Sequence, residues 1–239
     1  MNMDDAKQAV RQQVWKALDD AGAVDPPGAA GHIPSFVGAD EAARQLSQLE
    51  VWQEARVVKA NPDRAQLPVR EAALRDGKLV YMAVPAMANP RPFYQLDPAR
   101  VGPEAADSKE AARVAPIVAP DEMYPIDLVV CGTVAVNRSG ARIGKGAGYS
   151  DIEVALLTEA GLVGPQTIIV TTVHQLQVID EDIPETEHDF SVDFIVTPEA
   201  VIECQPPRRP AGIIWEHLSQ EKIDAIPALA RHHRRSTQA

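Results

Sequence analysis

Gly140 to Asp151 reads GARIGKGAGYSD, and this stretch decides how the chain is expected to fold. Gly144, Gly146 and Gly148 alternate immediately ahead of a helical segment, Ile152 to Ala160. Alternating glycines admit positive φ and let backbone amides come close to a ligand. Ser150 and Glu153 stand in S-x-x-E spacing, which predicts a capping box and a helix start at Ser150. A helix N-terminus offers unpaired N–H groups and the positive end of a dipole, which suits phosphate. Arg142 and Lys145 add cations to the same loop. The spacing is neither the phosphate-loop pattern G-x-x-x-x-G-K-[ST] nor the dinucleotide pattern G-x-G-x-x-G. On spacing alone, a turn closing a strand–helix joint is an equal reading.

Working outward, Ile126 to Cys131 (IDLVVC) is a continuous apolar run, the pattern of a strand buried on both faces. Further strands are predicted at Glu54–Ala60, Lys78–Val84, Gln166–Val173 and Phe194–Thr197. Helices are predicted at Asp4–Ala21, where Val10, Val14 and Leu18 share a face, and at Ala39–Leu49 and Ala65–Asp76. Residues 24–38 and 86–120 are proline-dotted and read as irregular, and Arg231–Arg235 (RHHRR) reads as a solvated basic end. Strands alternating with helices predict an α/β fold with a largely parallel sheet.

The 239 residues carry 23 Lys+Arg and 34 Asp+Glu, a net charge of −11. Such a balance argues against broad nucleic-acid binding. At 45% hydrophobic and 24% charged residues, the chain has enough apolar surface for a packed core. No apolar run reaches the ~20 residues that span a bilayer, and residues 1–20 lack the apolar segment of a secretory leader. The two cysteines, Cys131 and Cys204, form no metal spacing or disulfide framework, so a reduced cytoplasmic setting is expected. The seven acidic residues between Asp180 and Asp193 read as an acidic surface loop, and His174 as a core histidine.

RIGKGAGYSD at 142–151 resembles the R-[LI]-G-x-G-x-G-Y-Y-D loop of 5-formyltetrahydrofolate cyclo-ligases, also called methenyltetrahydrofolate synthetases. Other landmarks agree in order: Lys7 and Arg11 on the first helix, Asp63 ahead of Gly77-Lys78, the strand at 126–130, and His188-Asp189 followed by Asp193 and Thr197. His32–Phe36, Ala60–Asp63 and Gly212–Glu216 further resemble the methenyltetrahydrofolate synthetase domain-containing branch.

The resemblance implies a three-layer α/β/α sandwich, Rossmann-like, of the NagB/RpiA/CoA-transferase-like type. It implies one cyclo-ligase-like domain over 1–202, and a 203–239 extension packing on it. The implied reaction uses ATP and Mg²⁺ to close 5-formyltetrahydrofolate to 5,10-methenyltetrahydrofolate through a phosphorylated formyl group. Nucleotide binding is then expected from Lys7, Arg11, Gly144, Lys145, Gly146, Ala147, Gly148, Tyr149 and Asp151. Lys145, Arg142 and Tyr149 would serve catalysis, Asp63, Tyr149 and His188 the folate, and Asp151 and Asp189 the metal. On spacing alone, Lys7 and Arg11 are a solvated helix face, Arg142 a loop anchor, Tyr149 a core residue and Asp151 a helix-dipole partner. Three departures fall in or near the substrate side: Asp63 is a methylene shorter than the family's glutamate, Ser150 replaces a second tyrosine, and Ile152 a basic residue. They motivate two alternatives: activation of a non-folate formyl or amide oxygen, or a nucleotide-binding module without catalysis.

Overall fold

The structure is a computed structural model describing residues 2–205 and 208–236. The first half runs α1 (Met3–Asp20), α2 (Ala39–Ser47), α3 (Glu50–Glu54), β1 (Val57–Ala60), α4 (Leu67–Arg75), β2 (Leu79–Ala83), β3 (Phe93–Leu96), α5 (Ser108–Val114) and β4 (Ile117–Val118). The second half runs β5 (Leu128–Cys131), β6 (Ala135–Asn137), β7 (Arg142–Ile143), α6 (Tyr149–Glu159), β8 (Ile168–Thr172), β9 (Val178–Ile179), β10 (Phe194–Val196), β11 (Val201–Glu203), α7 (Gln220–Ala225) and α8 (Pro227–Ser236).

Eight strands form the main sheet in the order β11-β10-β8-β5-β1-β2-β3-β4. The five central strands, β10 to β2, are parallel, and the outer pairs are antiparallel. Strand alternation sends Val58, Ala60, Leu128 and Val130 to one core, with Leu46 of α2 and Val69 of α4. Val129, Cys131 and Ile169 go to the other, with Val154 and Leu157 of α6. Helices therefore cover both faces, giving the three-layer α/β sandwich expected from the sequence. A small second sheet, β7-β6-β9, packs Ala135, Ile143 and Ile179 against Val14, Trp15 and Leu18 of α1.

Three local expectations are corrected. The capping box at Ser150 does not form: α6 starts at Tyr149 behind Gly148, whose φ is +72°, with no side-chain cap. Residues 86–120 are not wholly irregular. They hold β3, α5 and β4, whose short strands extend the sheet edge where prolines are tolerated. The basic run from Arg231 is not a free tail, because α8 seats Leu229, with Ile226 just before it, against Ile152, Leu156 and Met87. His232 pairs with Glu159, and its ring stacks on Trp215. The side chain of Arg235 lies outside the described residues.

Leu46 is fully buried whereas Val37 is 54% exposed. Leu46→Ala is expected to cost about 2–5 kcal/mol in urea unfolding. Val37→Ala is expected to stay within about 0.5 kcal/mol.

Candidate active site

Chain order reverses between β1 and β5: β2 follows β1 on one side of it, and β5 returns on the other. Ligands of open α/β sheets bind outside the carboxyl ends of strands at such a switch point. Beyond these ends lies a cleft of about 210 Å³, lined among others by Asn61, Asp63, Lys145, Tyr149, Ser150 and Glu153. The glycine loop forms its rim and continues into α6, aiming the helix N-terminus at it.

Arg11 Nε donates to Gly144 O at 2.7 Å, so α1 grips the loop directly. Burial lowers the Arg11 pKa against the pull of Asp4, Asp189 and Asp151. One turn earlier, on the same helix face, Lys7 Nζ donates to Asp189 Oδ2 at 2.5 Å. That oxygen also accepts from Thr186 N at 2.6 Å and Thr186 Oγ1 at 2.8 Å. Burial works to raise the Asp189 pKa, but these bonds outweigh it and hold the carboxyl below its ordinary value. Lys145 is exposed on the loop.

Arg142 is only 3% exposed. Its Nη1 lies 3.2 Å from Asp151 Oδ1, its Nη2 donates to Gly132 O at 3.4 Å, and its guanidinium carbon sits 4.5 Å from the centre of the Phe190 ring. Burial opposes the Arg142 charge, but Asp151, Cys131 and Asp189 prevail and raise its pKa. Burial also raises the Asp151 pKa, against the attraction of Arg142. These contacts make Arg142 an anchor beneath the loop, and its Nε is buried without a partner among the described residues.

Asp63 follows β1 on a turn held by Arg70, whose Nη1 donates to Asp63 O at 3.0 Å and also to Asn61 O. Arg70 Nε reaches Ala106 O at 2.8 Å, and burial lowers its pKa to about 10. Gly132, just beyond β5, clears the space above. A Cβ there would lie 2.7 Å from Asp63 Oδ2 and 3.2 Å from Gln66 Oε1. Gln66 Oε1 is itself buried without a donor. Of these two acceptors Asp63 borders the cleft, while Gln66 lies fully buried behind it. His188 does not line this cleft. It faces two neighbours on the far side of the loop, of about 350 and 120 Å³, shared with Gly146, Gly148 and Asp151.

The sequence reading assigned no site role to Lys59, Asn61, Glu153 or Lys222, though it marked Glu153 as a capping partner and Asn61 within the Ala60–Asp63 landmark. Lys59 is fully buried in β1 and pairs with Glu153 of α6 across the core. Lys59 Nζ also donates to Asn61 Oδ1 at 2.5 Å, and Asn61 Nδ2 to Ser150 Oγ at 2.7 Å. A lysine inside an apolar strand was the available signal for this cluster. Lys222 of α7 donates to Ala147 O at 2.6 Å and lies 4.7 Å from the centre of the Tyr149 ring. No local pattern marks that contact, because 75 residues separate its ends.

Among the described residues, no group of three or more His, Cys, Asp or Glu is placed to hold a metal ion. Magnesium commonly takes one or two carboxylates and completes its shell with phosphate oxygens and water. Asp151 and Asp189, the two carboxylates expected to hold it, both border the smaller far-side cleft, and each already meets a cation, Arg142 and Lys7. No helix among the described residues is long and apolar enough to cross a membrane.

Residues 3–198 match the 5-formyltetrahydrofolate cyclo-ligase family. The chain is 36% identical over 247 aligned positions to a Bos taurus methenyltetrahydrofolate synthase domain-containing protein, covering 98% of this chain and 63% of that one. The Danio rerio protein of that name is 37% identical, with 97% and 62% covered. The chain thus spans just under two thirds of these relatives. The NMR structure of Aquifex aeolicus 5,10-methenyltetrahydrofolate synthetase superposes with a TM-score of 0.53 at 16% identity, covering 86% of this chain and 94% of that one. It shares the fold.

Breaking a buried ion pair from one side strands the other charge. Lys59→Met alone is therefore expected to cost about 3–5 kcal/mol in denaturant unfolding, and Lys59→Met with Glu153→Leu far less. The depressed Asp189 pKa stabilises the fold above the ordinary carboxylate range, and that stability is lost as pH falls through the folded value. Asp189→Asn should flatten the acid limb of a stability–pH curve.

Proposed function

This chain belongs to the 5-formyltetrahydrofolate cyclo-ligase family, and from that premise we propose that it converts 5-formyltetrahydrofolate to 5,10-methenyltetrahydrofolate with ATP and Mg²⁺. The observation that carries the reading is the two-sided glycine loop. Lys7, Arg11, Gly146, Gly148, Asp151 and His188 border a small cleft on one side. Asp63, Tyr149 and Ser150 border the switch-point cleft on the other, and Lys145 reaches that rim.

Phosphoryl transfer is mostly positioning and charge neutralisation. Lys145, Arg11, Lys7 and the loop amides of Gly144, Gly146, Ala147 and Gly148 would bind the triphosphate, with Asp151 offering the carboxylate for magnesium. When bound, the nucleotide supplies the phosphoryl group that activates the N5-formyl oxygen. N10 of the folate then attacks the formyl carbon, phosphate leaves and the ring closes. Asp63 would accept from the pterin amino group. Tyr149 would pack its ring on the substrate, braced by Lys222. Arg142 would act through Asp151, holding the loop in place. His188 lies on the nucleotide side of the loop, so we assign it there rather than to the pterin. The thiols of Cys131 and Cys204 are free, which suits work in the cytoplasm.

Purified chain given ATP, Mg²⁺ and 5-formyltetrahydrofolate should generate the methenyl chromophore. Lys145→Ala should lower kcat/KM by about 100-fold, and chelation of magnesium should stop turnover. No chromophore at high enzyme concentration, beside a working control enzyme, sinks the folate reading. The short reach of Asp63 favours one second reading, a non-folate formamide, and ADP release with such a compound alone would support it.

A further inference from the structure

Lysine carries donors and no acceptor. Lys59 Nζ lies 2.5 Å from one terminal atom of the Asn61 amide, so that atom is the amide oxygen. The amide nitrogen then faces the other way and donates to Ser150 Oγ at 2.7 Å. This fixes the amide orientation without appeal to electron density, which rarely separates the two ends. An amide nitrogen only donates, so the Ser150 oxygen accepts, and the hydroxyl proton has to point elsewhere. Among the described residues no protein acceptor takes that proton. Ser150 lies in the first turn of α6, on the wall of the switch-point cleft with Asp63 and Lys145.

The rest of the cluster locks this direction. Lys59 is fully buried and Glu153 is 3% exposed, and the two are ion-paired. A buried pair of this kind adds little net stability, and in some proteins it is retained because it fixes one arrangement. Here it fixes the Asn61 side chain, whose backbone oxygen is gripped by Arg70. Glu153 is committed to Lys59, and because α6 starts at Tyr149, Ser150 lies inside the first turn rather than at its cap.

We propose that Ser150 Oγ donates a hydrogen bond to a carbonyl-type oxygen of the substrate, and that Lys59 and Asn61 are positioning residues that set its direction. This rests on the folate reading above and adds a specificity-determining contact to it. Three folate oxygens have the chemistry, the formyl oxygen, the pterin ring carbonyl and the benzoyl amide carbonyl.

The test measures binding of 5-formyl- and 5-methyltetrahydrofolate, and separately of ATP, by calorimetry. The unaltered chain is compared with Ser150→Ala, Ser150→Thr and Asn61→Asp. Ser150→Ala should weaken 5-formyltetrahydrofolate about 5- to 10-fold, the worth of one neutral hydrogen bond. Ser150→Thr keeps the donor and should keep the affinity. Asn61→Asp leaves Lys59 its acceptor but offers Ser150 a carboxylate instead of a donor. The hydroxyl then turns inward, and the folate loss should match that of Ser150→Ala. Combining Asn61→Asp with Ser150→Ala should be no worse than either alone, and ATP affinity should not move. A loss confined to the formyl compound assigns the formyl oxygen, and an equal loss for both assigns a carbonyl the two compounds share; each supports the proposal. Unchanged folate binding in Ser150→Ala overturns it. Loss in Ser150→Ala without loss in a folded Asn61→Asp overturns the positioning role. If Asn61→Asp does not fold, the Ala–Thr contrast at Ser150 still decides the donor. An unaltered chain that binds neither folate overturns this proposal and the folate reading together, whereas folate binding with an unaffected Ser150→Ala overturns this proposal alone.

Discussion

The site depends on one constraint: the glycine loop must be held open above the sheet while its amides stay unpaired. An unsupported glycine-rich segment loses much conformational entropy when it is ordered. Here the ordering is imposed by cations at the loop's own start and on two distant helices. Arg142 supports it from beneath through Asp151 and the Gly132 carbonyl. Arg11 holds Gly144 from α1, and Lys222 holds Ala147 from α7. Two segments far apart in sequence, α1 and α7, thus bind the loop's backbone oxygens, and the loop's own Arg142 braces it from beneath. The loop N–H groups are left to face a ligand.

That arrangement also explains how a chain of net charge −11 can offer an anion site. The cations are local and are kept near the loop by acidic partners, Asp189 for Lys7 and Asp151 for Arg142. For Arg142, the nearby acids raise the pKa against the burial that penalises its charge. The excess negative charge lies elsewhere, as on the exposed stretch Asp180–Asp182. Net charge therefore describes the surface, while the site is described by a few converging side chains.

The opposite wall is built on different physics. Around Lys59 and Glu153 the polar groups are buried, paired and directional. A fully satisfied buried network holds its members in one geometry, because each alternative leaves a desolvated group unpaired. Lys145 is exposed on the rim of the switch-point cleft, and across the loop Arg11 is only partly buried. Under the proposed function, one loop would serve two ligands of unlike character, an anion and a largely planar, hydrogen-bonding molecule.

Periodicity and glycine spacing determined the strand and helix pattern, the parallel core of the sheet and the loop itself, because buried strands and helix starts leave local marks. Short edge strands such as β4, of two residues, leave none and came only from pairing with their neighbours. The sequence brought Ser150 and Glu153 together as a capping box, a sound local inference. Tertiary structure overrode it: α6 starts at Tyr149, which puts Ser150 inside the first turn, and β1 delivers Lys59 and Asn61 to the same point from 90 residues away, where a buried charge demands its partner. Residues that act through local backbone were legible in order along the chain. Those that act through buried charge, Lys59, Asn61 and Glu153, acquire their roles only when the sheet sets β1 beneath α6.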